Sequence, residues 1–495
     1  VTQLSAQQQE LARTCLSQGL HQQDRVHREL TEKINRALDR RYLDALDMLS
    51  LCFGINGLPI GRYKVRARVQ EYLNEHHIAP LGMLTMLFGF KNVNRVVESA
   101  YLLEEKAGKF ERAEGALIAL EPDTGYITAM VGGSSFSVDN QLNRAVQIRR
   151  PTGSGFKPYI YTAAIDTKMF TPASVITDAP VVFFDGDRRW IPDNYSGTYR
   201  GPVRLREALR KSINVVTAKV VDRLGFDTVI AYASKIIGIT DPREVEERFP
   251  PVHSLALGVV ELSPYEQARG FATFANRGVA VDPIAVLYVL DRDGNLIRNF
   301  EAELRKEQVE QHRRVLSPQT SFIITDMLRD VLRPGGTGWR AAHRNGFHLP
   351  AAGKTGTTQN WKDAWFTGFT PDLVASVWVG YDRYSVSLGR GRAGGVVAGP
   401  IWARFMRGAL EDRGPSWYDR PPGVLAARIC RESGLLPTPD CDQVMTEYFL
   451  PGTVPTRYCA ECSGRDHESF NPEVFRRLEL NRRGAPDTYG GAAVP

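Results

Sequence analysis

Arg150-Pro-Thr-Gly-Ser-Gly-Phe-Lys-Pro158 is the stretch on which the reading of this chain turns. Gly153 ahead of Ser154, and Pro158 in what would be the first helical turn, predict that Ser154 opens a helix. Free amides and the helix dipole favour negative charge at such a place. Lys157, three residues on, shares the face of Ser154 and can reach its hydroxyl. A serine is a weak nucleophile until a base takes its proton, and a lysine can serve as that base when desolvation or other cations lower its pKa. Taken alone, Ser-x-x-Lys is a common surface-helix pattern and decides nothing.

Two further segments change its weight. Ser212-Ile-Asn214 lies between helix-like runs at 203–211 and 214–224, so a hydroxyl and an amide can both project from an interhelical loop. Lys354-Thr-Gly-Thr-Thr358 follows Gly353 and the apolar Leu349-Pro-Ala-Ala352. It sets a cation and hydroxyls on a short strand, where Gly356 permits close approach of a substrate backbone. By itself the first would be a helix cap and the second a turn. Together, in this order, they match the Ser-x-x-Lys, Ser-x-Asn and Lys-Thr-Gly set of penicillin-recognising serine enzymes.

The surrounding pattern supplies a scaffold for them. Ala116-Leu-Ile-Ala-Leu120 and Tyr126-Ile-Thr-Ala-Met-Val131 read as two strands joined by a Pro-Asp-Thr-Gly turn. A second strand pair, Asp363 to Phe369 and Leu373 to Val379, follows helix-like stretches at 158–168, 203–211, 214–224 and 264–277. Strands at both ends of a long helical middle predict an α+β domain with an antiparallel sheet flanked by helices. Before it, residues 1–113 read as helical and charged, a bridging region more than a catalytic one; the adjacent His76 and His77 cannot share a helical face and make a poor metal site. After about residue 420, Pro and Gly rise and a small cysteine-bearing module begins, with 484–495 expected to be a disordered tail.

Composition narrows the function classes. The 495 residues are 43% hydrophobic and 24% charged, and 62 Lys and Arg against 56 Asp and Glu leave a net charge of +6. A nucleic-acid partner is not expected, since tracking phosphates needs a concentrated basic face. No stretch approaches the ~18 consecutive apolar residues of a membrane span. The apolar run Ala79 to Phe90 is short and broken by Gly and Pro. A start at Val1 without a signal-peptide pattern reads as part of something longer.

Four of the six cysteines, Cys430, Cys441, Cys459 and Cys462, crowd the last 70 residues. Structural zinc sites usually present two close pairs, and only Cys459 and Cys462 are close, so two disulfides are favoured if the module is extracytoplasmic. Cys15 and Cys52, each flanked by apolar residues, are expected to be buried core thiols.

From about 114 to 415 the chain resembles the transpeptidase domain of class A penicillin-binding proteins. Glu121-Pro-Asp-Thr-Gly125, Met130-Val-Gly-Gly133, Asn143-Arg-Ala145, Trp190 to Tyr195 (WIPDNY), Ala256-Leu-Gly258 and Phe274-Ala-Asn-Arg-Gly278 are similar to that family's landmarks. Leu4 to Ala12 is similar to its lead-in helix, and Cys430 to Gly434 with Phe449 to Thr453 and Cys459 to a tail seen in some members. Residues 29–112 match nothing in the family and are read as an insertion. The expected organisation is a helical region over 1–113, a transpeptidase domain over 114–415 and a cysteine-containing module and tail over 416–495.

The resemblance implies a peptidoglycan transpeptidase with no cofactor or metal. Ser154 would attack the penultimate D-Ala carbonyl of a stem peptide and Lys157 take its proton. Ser212 and Lys354 would relay a proton to the leaving amine, and Asn214 would hold Lys157 and the substrate amide. Thr355, Gly356 and Thr357 would bind the substrate, the two threonines its carboxylate. Implied partners are stem peptides, glycan strands, β-lactams and cell-wall synthesis proteins, reached from the periplasmic face through an upstream membrane anchor. A glycosyltransferase domain would also lie upstream. The rival readings are a serine β-lactamase, against which stand the chain length and the lack of a Glu-x-x-x-Asn segment, and a β-lactam or muropeptide sensor or scaffold.

Overall fold

The computed structural model describes residues 2–53, 112–310 and 314–462. Most of the segment 29–112, read from the sequence as an insertion, with its His76–His77 pair and the run 79–90, and the tail 484–495 lie outside the described residues. Five strands form one sheet: β1 (Glu114–Leu120), β2 (Ile127–Val131), β3 (Ala352–Thr357), β4 (Ala364–Phe369) and β5 (Val374–Gly380). They lie in the order β3-β4-β5-β1-β2, with every neighbouring pair antiparallel. Strands more than 200 residues apart in sequence therefore become neighbours, with Leu117 opposite Val377 and Ile118 opposite Ser376.

All seven residues of β1 are buried, because both faces of the sheet are covered. Ile118 and Leu120 point into one core with Phe156, Tyr159, Phe271 and Phe274. Leu117 and Ala119 point into another with Phe366, Val377, Trp402 and Phe405. The strand alternation thus feeds two apolar layers, which is why Ala116 to Leu120 is continuously apolar instead of alternating.

Helices carry the rest. Among them are α1 (Ala6–Phe53), α2 (Lys157–Asp166), α3 (Leu205–Lys211), α4 (Asn214–Leu224), α5 (Pro264–Ala275), α6 (Pro318–Arg329) and α7 (Ala398–Ala409). Ser263 caps α5 with a reciprocal capping box to Glu266 and Pro264 at its first position.

The chain divides into two compact units, Val1–Leu20 with Ala113–Pro495, and His21–Arg112. The sequence reading ran 1–113 as one region, whereas the first turns of α1 group with the sheet. Ala12, Cys15, Leu16 and Leu20 enter the second core, and the Gln9 amide clasps the edge of β2, accepting from the Met130 amide and donating to its carbonyl at 2.8 Å each. Cys15 is a buried free thiol, as expected. Among the described residues no helix is long and apolar enough to cross a membrane.

The cysteine module is built on a hairpin, β6 (Leu425–Cys430) and β7 (Val444–Phe449). It docks onto α3 through Arg206, whose guanidinium meets the fully buried Glu447 at 2.5 and 2.8 Å, Asp326 at 2.7 Å and Asp330 at 3.1 Å. The two disulfides expected from the sequence do not form. Cys430, Cys441, Cys459 and Cys462 are brought into one cluster with no S–S bond; Cys430 and Cys462 lie 3.6 Å apart, Cys459 and Cys462 3.5 Å. The hairpin brings Cys430 and Cys441 together, although eleven positions separate them in sequence.

Candidate active site

Ser154 sits on a 3₁₀ turn, Gly153–Phe156, that runs directly into α2. It therefore lies one short turn ahead of the α-helix instead of opening it, while Pro158 does stand in the first helical turn as the sequence implied. Gly153 has a left-handed backbone (φ +55°), and a Cβ there would fall 2.4 Å from the Thr357 carbonyl oxygen and 3.0 Å from the Thr357 nitrogen. Only glycine lets the serine turn press against β3 in this way.

The contact is mutual at Gly356, where a Cβ would stand 2.3 Å from the Thr152 carbonyl oxygen and 2.8 Å from Trp365 Cβ. The space left by that missing side chain is used by the serine turn itself. Two buried side chains fix the turn from behind. Gln267 Nε2 donates to the Gly155 carbonyl at 3.0 Å, and Trp365 Nε1 donates to the Pro151 carbonyl at 3.0 Å. Neither was legible in the sequence, since each is a lone residue far from any motif.

Lys157 is fully buried on the first turn of α2. Its ammonium nitrogen donates to the Ser212 carbonyl at 2.8 Å and to Asn214 Oδ1 at 2.7 Å, with the Ser212 hydroxyl at 3.4 Å. Lys354, 1% exposed on β3, donates to the same Ser212 hydroxyl at 2.9 Å and to the Thr355 carbonyl at 3.0 Å. Ser212 Oγ thus bridges two buried lysines.

Among the described residues no hydrogen bond engages the half-buried Ser154 hydroxyl. The direct Lys157 contact expected from the i, i+3 spacing is replaced by deeper acceptors, because a buried ammonium must satisfy its donors where oxygens are available. Neither lysine has a carboxylate partner among the described residues, so both feel the low dielectric unopposed. Burial, and secondarily the charge of Lys354, hold Lys157 well below its ordinary value. Burial alone pushes Lys354 down to about 7. Buried titratable groups paired without counter-ions are a mark of function rather than of stability.

A family model described as the penicillin binding protein transpeptidase domain matches residues 115–407. The chain belongs to that family. A second model, for the C-terminal domain of penicillin-binding protein 1A, matches residues 420–463. The chain is 37% identical over 381 residues to penicillin-binding protein 1A of Pseudomonas aeruginosa, which covers 68% of this chain and 45% of the relative. With the Aquifex aeolicus protein of the same name it shares 34% identity over 363 residues, 73% of this chain and 47% of that one. The chain therefore spans about half the length of these curated relatives. The crystal structure of penicillin-binding protein 1A from Haemophilus influenzae superposes with a TM-score of 0.64 at 31% identity, covering 71% of this chain and 55% of that one.

Within this penicillin-binding domain the second motif is held by the WIPDNY segment. Ser212 ends α3 in a left-handed conformation (φ 58°, ψ 42°), unusual for a residue with a Cβ, and this turns its hydroxyl and carbonyl back towards Lys157. The first turn of α4 has no local side-chain cap. Instead Asn194 Oδ1 accepts from the amides of Asn214 at 3.0 Å and Val215 at 3.2 Å, and the Asn214 side-chain amide donates to the Asp193 carbonyl at 2.8 Å. Asn194 in turn donates to Asp178 Oδ1 at 2.7 Å. The segment was visible in the sequence as a landmark, but its job as a remote helix cap was not.

The third motif lies on β3. Thr355 Oγ1 lies 2.9 Å from Thr337 Oγ1, and Thr357 Oγ1 accepts from the Gly394 amide at 2.9 Å, leaving its own proton free to donate. The structure thus brings Ser154, Lys157, Ser212, Asn214, Lys354, Thr355, Gly356 and Thr357 to one place from three separate segments of the sequence.

Proposed function

We propose that this chain is a D,D-transpeptidase that crosslinks peptidoglycan stem peptides through an acyl-enzyme on Ser154, with carboxypeptidase activity when water replaces the acceptor amine. The observation that carries the reading is the pair of buried, counter-ion-free lysines converging on one serine hydroxyl beside the glycine-framed turn of Ser154.

Lys157 is the general base. A neutral amine has two N–H bonds, and the Ser212 carbonyl and Asn214 Oδ1 accept both, which leaves the lone pair for the Ser154 proton. As Ser154 Oγ bonds to the penultimate D-Ala carbonyl, the developing oxyanion is met by the amides of Ser154 and Thr357, a pairing supported by the close approach of Gly153 to Thr357. One such donor is worth about 3 kcal/mol.

When the C–N bond breaks, the proton passes from Lys157 through Ser212 Oγ to the leaving D-Ala amine. Lys354 supports this relay from the far side of the hydroxyl. Thr355 and Thr357 hold the terminal carboxylate, and Lys354 adds positive field. A second stem's amine then attacks the ester, its proton retracing the relay, and the crosslink forms as Ser154 is released. A β-lactam enters as a mimic of D-Ala-D-Ala. The working place would be the periplasmic face of the membrane, with an anchor and a glycosyltransferase domain in the rest of the protein.

Incubation with a fluorescent penicillin and identification of the labelled peptide tests this. Label confined to Ser154, abolished in Ser154→Ala and released slowly, is the expected result. Label on another residue overturns the site, and rapid turnover of the β-lactam overturns the transpeptidase reading in favour of a hydrolase.

A further inference from the structure

The four sulfurs of the C-terminal module form a group the acyl-transfer site does not use. The Sγ atoms of Cys430, Cys441, Cys459 and Cys462 all lie within 4.8 Å of one another. The two separations at Cys462 are 3.5 Å to Cys459 and 3.6 Å to Cys430. A disulfide needs ~2.05 Å. Four thiolates around one zinc at ~2.3 Å stand about 3.8 Å apart, the edge of the tetrahedron. The two separations at Cys462 fit the second arrangement, and the Cys441 sulfur joins the other three within 4.8 Å, whereas two disulfides would sort the four into two short pairs.

We propose that these four cysteines bind a single structural zinc ion as a tetrathiolate site. The donor set is four soft sulfurs in a closed group, which suits zinc and leaves no open position for catalysis. Three of the four thiols are buried and only Cys462 is half-exposed, so an ion would be shielded from solvent by the module.

The loops that carry the ligands are already bonded to one another. The Gly434 amide closes a turn on the Cys430 carbonyl at 3.0 Å, the Cys441 amide closes another on the Thr438 carbonyl at 3.1 Å, and the Cys459 amide reaches the Leu436 carbonyl at 2.7 Å. The Thr438 amide lies 3.4 Å from Cys441 Sγ, a donor of the kind that steadies a metal-bound thiolate.

The module also needs a staple. The hairpin's own core is small, with Ile429 and Phe449 buried against Ala173. Val424, Tyr448 and Leu450 pack with the main core, and a metal site would add folding free energy to the segment's own small cluster. Because β7 also presents Glu447 to Arg206 on α3, the ion would keep the hairpin in register for that contact.

The test uses the untagged full chain, exported from the cytoplasm during production, so that oxidation has its opportunity. Elemental analysis is expected to give one zinc per chain. Intact mass after denaturation should show all four cysteines reduced, and thiol reagent should reach them only after chelation. Cys462→Ser should lose the zinc while Cys15→Ser, outside the group, keeps it; chelation of the unaltered chain should lower its unfolding temperature, a readout that does not depend on the variant folding. A metal-free chain lighter by four hydrogens, a metal-free chain with four reactive thiols, or stoichiometric iron in place of zinc would each overturn the proposal.

Discussion

Lys354→Met replaces a buried cation with an apolar side chain of similar length, and the structure sets the size of the effect. Burial lowers Lys354 from its ordinary 10.5 to about 7. At ~1.4 kcal/mol for each pH unit, a difference of about 3.5 means that holding the charged form in the fold costs about 5 kcal/mol. The sign follows from proton linkage. The unfolded chain binds more protons at this site between about pH 7 and about pH 10.5, so wild-type stability rises with pH across that window. The cost is present in full below about pH 7, and by about pH 9 it has fallen to ~2 kcal/mol. The substitution leaves the Ser212 hydroxyl and the Thr355 carbonyl without this donor, which gives back ~1–2 kcal/mol.

The variant is therefore expected to be more stable than wild type by ~3 kcal/mol at about pH 6 and nearly equal to it at about pH 9, while acylation by penicillin is lost at both. Removing the Lys354 charge also relieves the secondary cause that depresses Lys157, which pushes in the same direction. Urea unfolding of both proteins at the two pH values measures the difference directly. A stability difference that does not change with pH, or a variant less stable than wild type at the lower pH, would refute the claim that this site stores the cost of an unpaired buried lysine.

Three other outcomes follow from the same geometry. Ser212→Ala and Ser212→Gly both remove the hydroxyl between the lysines and should slow penicillin acylation by ~10²–10⁴; the glycine variant should also unfold at higher denaturant, having shed ~1 kcal/mol of left-handed strain that alanine keeps. Gly356→Ala would drive a methyl group into the Thr152 carbonyl and Trp365, so a loss of ~1–3 kcal/mol in thermal unfolding together with loss of labelling is expected. Glu447→Gln removes the charge that meets Arg206 inside the protein; with Asp326 and Asp330 still in place, the cost should be ~2 kcal/mol, below the ~3–5 of a fully broken buried pair, and limited proteolysis should show the hairpin opening first.

The chemistry was legible in the sequence because it is carried by residue types at short spacings. Ser154 with Lys157, Ser212 with Asn214, and Lys354 with Thr355 to Thr357 each announce themselves within four positions. So do the strand pairs at 116–131 and 363–379, whose turns are local. What stayed hidden acts across long separations. Asn194 caps α4 from twenty residues upstream, and Gln267 braces the serine turn from 112 positions away. The cysteines misled for the same reason, since eleven residues between Cys430 and Cys441 look like distance until a hairpin folds them together.

The misjudged contact, Lys157 to Ser154, is the most informative difference, because the i, i+3 rule describes a regular helix and the serine lies on a tighter turn ahead of one. An unpaired ammonium in that position satisfies itself on the nearest oxygens, and those belong to the second motif. Lys157 is thus held by Ser212 and Asn214, while the Ser154 hydroxyl is left half-exposed and unengaged among the described residues. That division explains why the family spacing Ser-x-x-Lys is useless without Ser-x-Asn. In the proposed mechanism the first would place a base near a nucleophile and the second would anchor that base; the third, through Lys354, adds a positive charge that, after burial, lowers the pKa of Lys157. Loss of any one of the three should therefore change the protonation or the position of Lys157 even where Ser154 itself is untouched.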